Sequence, residues 1–212
     1  MRDGRATERK QPPARVFLKA ATDAIHDEAH KLPLMQRLAD GTMTPDDYKT
    51  LTHRLYHYYV LVDQRIVAGC AEAGINAGTY AYELRAPMIA KDLQAMNKAC
   101  PPHLIAPQGL PELPPLSTLA KLAGAAYVVE GSLMGAKILE RALPETVAAP
   151  PARTFWRWCA TVGPERWAMT RHFIENACPD DSSRIEARSA ALATFKLFHQ
   201  LLHPALVPQP EP

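Results

Sequence analysis

The sequence predicts an all-α fold, a single-domain irregular helical bundle, and three features carry that reading. Apolar residues recur at helical spacing in one segment after another. Several of these segments open or close on capping residues and prolines. No stretch alternates apolar and polar like a strand for more than a few residues. The segments differ in length and follow no fixed period, which argues against a solenoid and for a compact bundle.

The first periodic segment runs from about Arg15 to Leu32, with Leu18, Thr22, Ile25, Ala29 and Leu32 on one face and Phe17, Ala21 and Ala24 widening it. Asp40-Gly41 stops a second, short segment. Thr44-Pro45-Asp46-Asp47 then starts a helix with a threonine cap, proline at the first helical position and acids in the first turn. That helix carries Leu51, Leu55, Tyr58, Val62 and Ile66 inward, with Tyr56, His57 and Tyr59 around them, and is expected to end near Val67. Gly69 to Gly78 is read as a small-residue connector. Pro87 begins a helix with Ile89, Leu93 and Met96 inward, and Pro101 to Pro115 is a proline-rich loop. A glycine-bearing helix is expected from about Leu116 to Leu143, followed by the Pro144 to Pro151 break and Thr154-Phe155-Trp156-Arg157-Trp158. A further helix is expected to start at Pro164 and end before Pro179. The last, capped by Asp180 or Asp181, turns Ile185, Leu192, Phe195 and Leu202 inward and ends before Pro204.

With 212 residues, 47% of them hydrophobic, the chain can bury one sizeable core. The domain is expected over 14–203, with residues 1–13 and the proline-rich 204–212 as poorly ordered tails. The 24 basic and 22 acidic residues leave a net charge of +2, which does not favour a nucleic-acid partner. No run of about 18 apolar residues suggests a membrane span. The charged N-terminus is not followed by the apolar core of a secretory signal, so a cytoplasmic location is expected. Cys70, Cys100, Cys159 and Cys178 are widely spaced and suggest neither a zinc site nor a disulfide framework.

Gly131 and Gly135 stand one turn apart in the apolar stretch Ala125-Ala126-Tyr127-Val128-Val129-Glu130-Gly131-Ser132-Leu133-Met134-Gly135-Ala136. Each interior glycine costs a helix about 1 kcal/mol relative to alanine, so something must approach that backbone closely. Tight packing of another helix and a flat ligand lying on exposed peptide groups both satisfy this. In the first segment Thr22, His26 and His30 form a polar stripe at i, i+4 spacing, with Lys19 beside the same line one turn earlier. Two histidines one turn apart can share a metal, but the residue after His26 is Asp27 where a zinc protease has glutamate, and no third ligand is evident. His30 alone reads as a surface or supporting histidine.

The string Leu18-Lys19-Ala20-Ala21-Thr22-Asp23-Ala24-Ile25-His26, continued through Leu32-Pro33-Leu34-Met35, resembles the proximal helix of the heme oxygenase family. The resemblance extends to Arg54-Leu55-Tyr56-His57-Tyr58-Tyr59-Val60, to Tyr127 through Ala136 and to Phe155-Trp156-Arg157, covering roughly Val16 to Leu202, and is closest to the bacterial biliverdin-producing branch. It implies heme held between a proximal helix and a kinked distal helix, with His26 as the iron ligand and Gly131 and Gly135 on the distal wall. It further implies that Lys19 and Arg157 meet the propionates, and that Thr22, Tyr127 and Phe195 line the pocket. Where mammalian-type members carry an aspartate after the first distal glycine, this chain has Ser132, which is taken with the two glycines as catalytic.

The activity so implied is oxidative opening of heme b, both substrate and cofactor, to biliverdin. It consumes O2 and electrons from an external donor (a ferredoxin, a flavodoxin or a reductase) and releases carbon monoxide and ferrous iron. The protein is expected to act as a monomer or weak dimer, with no nucleic-acid or membrane partner. A non-catalytic heme carrier or sensor on the same fold is the alternative.

Overall fold

The computed structural model describes residues 11–75, 80–97 and 112–203. These form eight α-helices: α1 (Ala14–His30), α2 (Pro33–Ala39), α3 (Pro45–Glu72), α4 (Ala86–Ala95), α5 (Leu119–Gly131), α6 (Leu133–Ala142), α7 (Thr154–Ala177) and α8 (Asp181–Leu202), with a 3-10 turn at Pro150–Arg153. No strand occurs among the described residues. α5 lies at the centre, packed on α8 and α7; α6 packs on α7, α1 on α8, and α3 on α4 and α8.

Local signals start some helices. Thr44 caps α3 in a reciprocal box with Asp47, and Asp180 caps α8 in the same way with Ser183. Other ends are satisfied from a distance. The Glu175 carboxylate of α7 accepts from the backbone N–H groups of Ala14 (2.7 Å) and Arg15 (3.2 Å) at the start of α1, where Pro13 has no side-chain oxygen to offer. Asp92 of α4 does the same for Thr154 (2.7 Å) and Phe155 (3.0 Å) of α7, and Asp63 of α3 for Arg85 and Ala86 at the start of α4. At carbonyl ends, buried Arg54 donates to Leu202 O, and Arg153 to Glu140 O and Leu143 O.

Four boundaries or faces differ from the sequence expectation. α3 runs past Val67 to Glu72 because Gly69 is buried under Leu116, whose carbonyl oxygen would be 2.5 Å from a Cβ there. The connector therefore begins later. α7 starts at Thr154 and continues through Pro164: Phe155, Trp156, Cys159, Arg166, Thr170 and Phe173 make one continuous buried face, and its burial outweighs the hydrogen bond that proline removes. On α8, Ile185 is 60% exposed, and the buried stripe instead runs through Ala187, Ala190, Ala191, Thr194, Leu197 and Leu201. The long glycine helix is two, α5 and α6, broken at Ser132. There Ser132 Oγ donates to Val129 O (2.8 Å) and Gly135 N makes a tighter i to i−3 bond to Ser132 O. A glycine beside a back-bonding serine is a recognised cause of a kink.

Residues 1–10 and 204–212 of the expected tails, 76–79 of the connector, 98–111 of the proline-rich loop, and Cys100 lie outside the described residues. Gln11 is described, and its amide donates to Asp181 Oδ1 (3.0 Å). Cys70, Cys159 and Cys178 are free thiols. Among the described residues one stretch, Leu119–Ala142, is long and apolar enough to cross a membrane; it is the kinked α5–α6 unit, more than half buried in the core.

Of the helical glycines, Gly124 has the tightest surroundings: a Cβ there would stand 2.0 Å from Ala187 O of α8. Gly124→Ala should force α5 and α8 apart, at a cost of about 1–3 kcal/mol or more, read as a lowered urea midpoint.

Candidate functional site

α1 and α5 meet where the Tyr127 phenol faces the Thr22 hydroxyl, with Asp23 and Lys19 close by; burial raises the phenol above its usual pKa and Thr22 partly offsets this. At the other end α2, which continues α1, packs on α6, and Gly41 lies against Ala142 O. One turn beyond Thr22 comes His26 and then His30; one turn beyond Tyr127 comes Gly131 and then Gly135. Tyr127 and Ala142 are about 15 residues apart, roughly 22 Å of helix at 1.5 Å per residue. The His26–His30 stripe and the two glycines thus lie between the two points where these elements pack together.

These two glycines differ from the others inside helices. A Cβ at Gly69, Gly124 or Gly163 would lie 2.5, 2.0 or 2.9 Å from a neighbouring carbonyl oxygen. At Gly131 it would meet the Trp167 ring at an ordinary 3.5 Å, and at Gly135 nothing within 4 Å. Helix packing therefore does not require glycine at either position. Ile138, on the same helical face one turn later, is 71% exposed, and Met134 beside it is also exposed.

On α1, His26 is 53% exposed, its ring edge-on to Phe195 of α8 (centroids 6.0 Å) and to His30 (4.5 Å). The two Nε2 atoms are 3.3 Å apart. Thr22 is buried and donates to Leu18 O, so it serves the helix wall rather than the open stripe. Phe195 is half-buried.

The expected rim cations do not come together. Lys19 is exposed near Tyr127 and paired with Asp23 (2.9 Å). Arg157 stands ten residues before Trp167 on α7, about 15 Å up the helix, where it faces Glu140 of α6 (3.9 Å) and Pro150 O (3.4 Å). No hydrogen bond or ion pair joins it to α1 among the described residues. The α7 cation at the Lys19 end is Arg171. It is one turn from Trp167, which packs on Tyr127 and Gly131, and one turn from Glu175, which caps α1. Arg171 is exposed and has no ion pair or hydrogen bond among the described residues.

The chain matches the family model described as heme oxygenase over residues 14–204, nearly its whole length. It belongs to the heme oxygenase family. A heme oxygenase of Xanthomonas campestris pv. campestris is 24% identical over 169 residues, covering 80% of this chain and 96% of the relative. The fold is shared with the heme oxygenase of Leptospira interrogans (TM-score 0.65, 14% identity, 88% of this chain and 98% of that one). It is shared too with heme oxygenase-1 of the cyanobacterium Synechocystis, solved in complex with heme (TM-score 0.60, 16% identity, 90% and 92%).

In this heme oxygenase family chain the kink rests on a buried ionic cluster. Glu130, fully buried beside Gly131, accepts from Arg166 Nε (2.9 Å) and Nη2 (2.7 Å) and from the Tyr80 hydroxyl (3.0 Å), and pairs with Arg85 Nη2 at 2.7 Å. Arg85, itself fully buried, stacks over Tyr82 (4.3 Å), whose hydroxyl donates to Asp63 (2.6 Å). Arg166 also reaches Glu83 (2.7 Å), which is open to solvent. The Tyr59 hydroxyl, its pKa raised by burial, sits against Ser132 on the kink. The sequence held one signal for this cluster, a lone carboxylate in an apolar helix, which has to find cations. It did not say which. A separate cleft of about 590 Å³, lined by Leu119, Met169, His172 and Phe173 among others, contains none of His26, His30, Gly131 and Gly135.

Burial alone would raise the Glu130 carboxyl, yet the Arg166 hydrogen bonds and the Arg85 charge hold it below its ordinary 4.5. Its stabilising contribution is complete above about pH 4.5 and fades as pH falls through the lower folded value. Glu130→Gln should therefore cost about 3–5 kcal/mol near neutral pH, since it leaves Arg85 buried without its counter-charge. In urea titrations the gap from the parent should stay constant above about pH 4.5 and narrow below it. Asp63 and Asp92, which burial raises, act with the opposite sign in both proteins and cancel in the difference.

Proposed function

We propose that this chain binds heme b in the slot between α1 and α5–α6 and opens it to biliverdin, releasing carbon monoxide and ferrous iron. The observation that carries the reading is the open space over Gly135, with no more than an ordinary contact to the Trp167 ring at Gly131, in the α5–α6 unit whose other glycine, Gly124, is pressed against backbone. Family membership supports it, and the residues suit the group. His26 offers an accessible imidazole on α1, exposed apolar Ile138 and Met134 flank Gly135 on α6, and Lys19 and Arg171 are exposed cations.

Heme, once bound, supplies the iron that activates O2 with electrons from an external donor, and the chain's own task is positioning. His26 Nε2 would hold the iron. Gly135 keeps the opposite side clear for a small molecule beside the ring edge, since a side chain there would fill open space, and at Gly131 a side chain would add bulk beside Trp167 at the same kink. Ser132 and the Tyr59 hydroxyl, in contact at the kink, hold and relay protons to that space. Tyr127 and Phe195 bound the ring laterally. Both propionates leave one edge of the macrocycle, so they need cations at one end of the slot; Lys19 and Arg171 share an end, whereas Arg157 is remote from it. We assign the rim to Lys19 and Arg171.

The deciding experiment adds heme, O2 and a reductase with its electron source to the purified protein and follows bile-pigment absorption. Pigment formation is expected; heme that binds and persists unchanged would make the chain a carrier. Gly131→Leu and Gly135→Leu should keep the parental urea midpoint and bind heme, yet lose most pigment formation. Loss of folding would instead return these glycines to a packing role. Arg171→Glu should alter the biliverdin isomer ratio or weaken heme binding by roughly tenfold, the size expected for one propionate ion pair of about 1.4 kcal/mol, while Arg157→Glu should do neither.

A further inference from the structure

We infer that His30 is a second iron ligand, able to take the place of His26, so that the heme site of this chain has a floor of two interchangeable imidazoles. The inference rests on the proposed heme reading and adds to it a residue that the sequence left as a surface or supporting histidine.

The geometry is specific to the slot. His26 and His30 are one turn apart on the exposed stripe of α1, edge-to-face with centroids 4.5 Å apart, and their Nε2 atoms, 3.3 Å apart, converge on one region. Imidazole–metal bonds are about 2.0–2.1 Å long, so a metal atom within reach of one Nε2 is brought within reach of the other by a side-chain rotation. A porphyrin occupies the four equatorial positions of its iron and presents one axial position to this wall. The two nitrogens therefore compete for it and cannot both bind.

The energetic cost is nearly the same for either choice. In the ligand-free pair one Nε2–H donates to the other Nε2, and ligation by either ring sacrifices that same hydrogen bond. What distinguishes them is what surrounds the ring. His26 Nδ1 is 3.8 Å from Asp27 Oδ1, beyond a direct hydrogen bond, and its ring lies edge-on to Phe195, so His26 has a packing partner that orients the imidazole. His26 is the resident ligand and His30 the reserve. Both side chains are exposed, so removing either leaves the core untouched.

The test is spectroscopic, on heme complexes of the full chain prepared without added imidazole. The iron–imidazole stretch in resonance Raman of the ferrous form and the ferric electron paramagnetic resonance spectrum are read alongside heme affinity. His26→Ala should keep an iron–imidazole stretch, with affinity reduced by no more than about tenfold, within the range typical for loss of a supporting group. His30→Ala should keep it too. The double substitution should abolish the stretch and lower affinity by a further factor of about ten or more. Loss of the stretch in His26→Ala, with the parent showing it, overturns the inference and leaves the heme reading intact. Its persistence in the double variant also overturns the inference, because the ligand then lies elsewhere. Absence of the stretch in the parent itself removes both.

Discussion

The carboxylate of Glu130 is the fixed point of this structure. It is fully buried one residue before the kink, and it is held by Arg166 of α7, by Arg85 ahead of α4 and by Tyr80 between α3 and α4. Bringing such charges into a low-dielectric interior costs several kcal/mol per ion, and their attraction repays this only in good geometry with further hydrogen bonds. Here Arg166 supplies a two-pronged contact, and Arg85 adds the face of Tyr82. A cluster with those requirements admits few arrangements. It fixes the rotation of α5, and with it which way Gly131 and Ser132 face.

The same logic explains why so many buried charges occur in one small bundle. Helices of unequal length and direction end against the middles of their neighbours, where water cannot satisfy their free N–H and C=O groups. The neighbours' side chains do so instead. Carboxylates of Glu175, Asp92 and Asp63 meet N-termini, and guanidinium groups of Arg54, Arg153 and Arg184 meet carbonyl ends, each of these six placed according to the sign of the helix dipole. The packing of α1 against α7, and so the position of His26, depends on Glu175.

This long-range capping marks where the sequence stops being legible. Caps within one turn, such as Thr44 with Asp47, can be read locally, and so can helical periodicity, which is why the all-α class, the starts of α3 and α8 and the inward residues of α3 were foreseeable. A helix that starts at Thr154 because Asp92 reaches it from another helix leaves no local trace, and Pro164 looked like a start when it lies in the middle. Arg157 and Arg171 are equivalent as letters. They are told apart by Glu140 beside one and by Trp167 and Glu175 one turn either side of the other. Ile185 looked inward by residue type, yet the face of α8 that meets α5 has to be small, because Gly124 brings the backbones into contact.

The site then arises from the way one helix uses glycine for two purposes. At Gly124 the missing side chain lets α5 press against α8, which draws the first half of the helix into the core. Seven residues later, at Gly131 and Ser132, the chain bends, and the second half leaves that contact to pack on α7 through Gly163. α1 packs mainly on α8 and touches α5 at Thr22 and Tyr127, and α2 packs on α6. The open space over Gly135 is thus a consequence of two different neighbours for the two halves of a kinked helix. Substituting Gly124 would loosen the core, whereas substituting Gly135 would fill that space, and this difference between two chemically identical residues is set entirely by what stands opposite each of them.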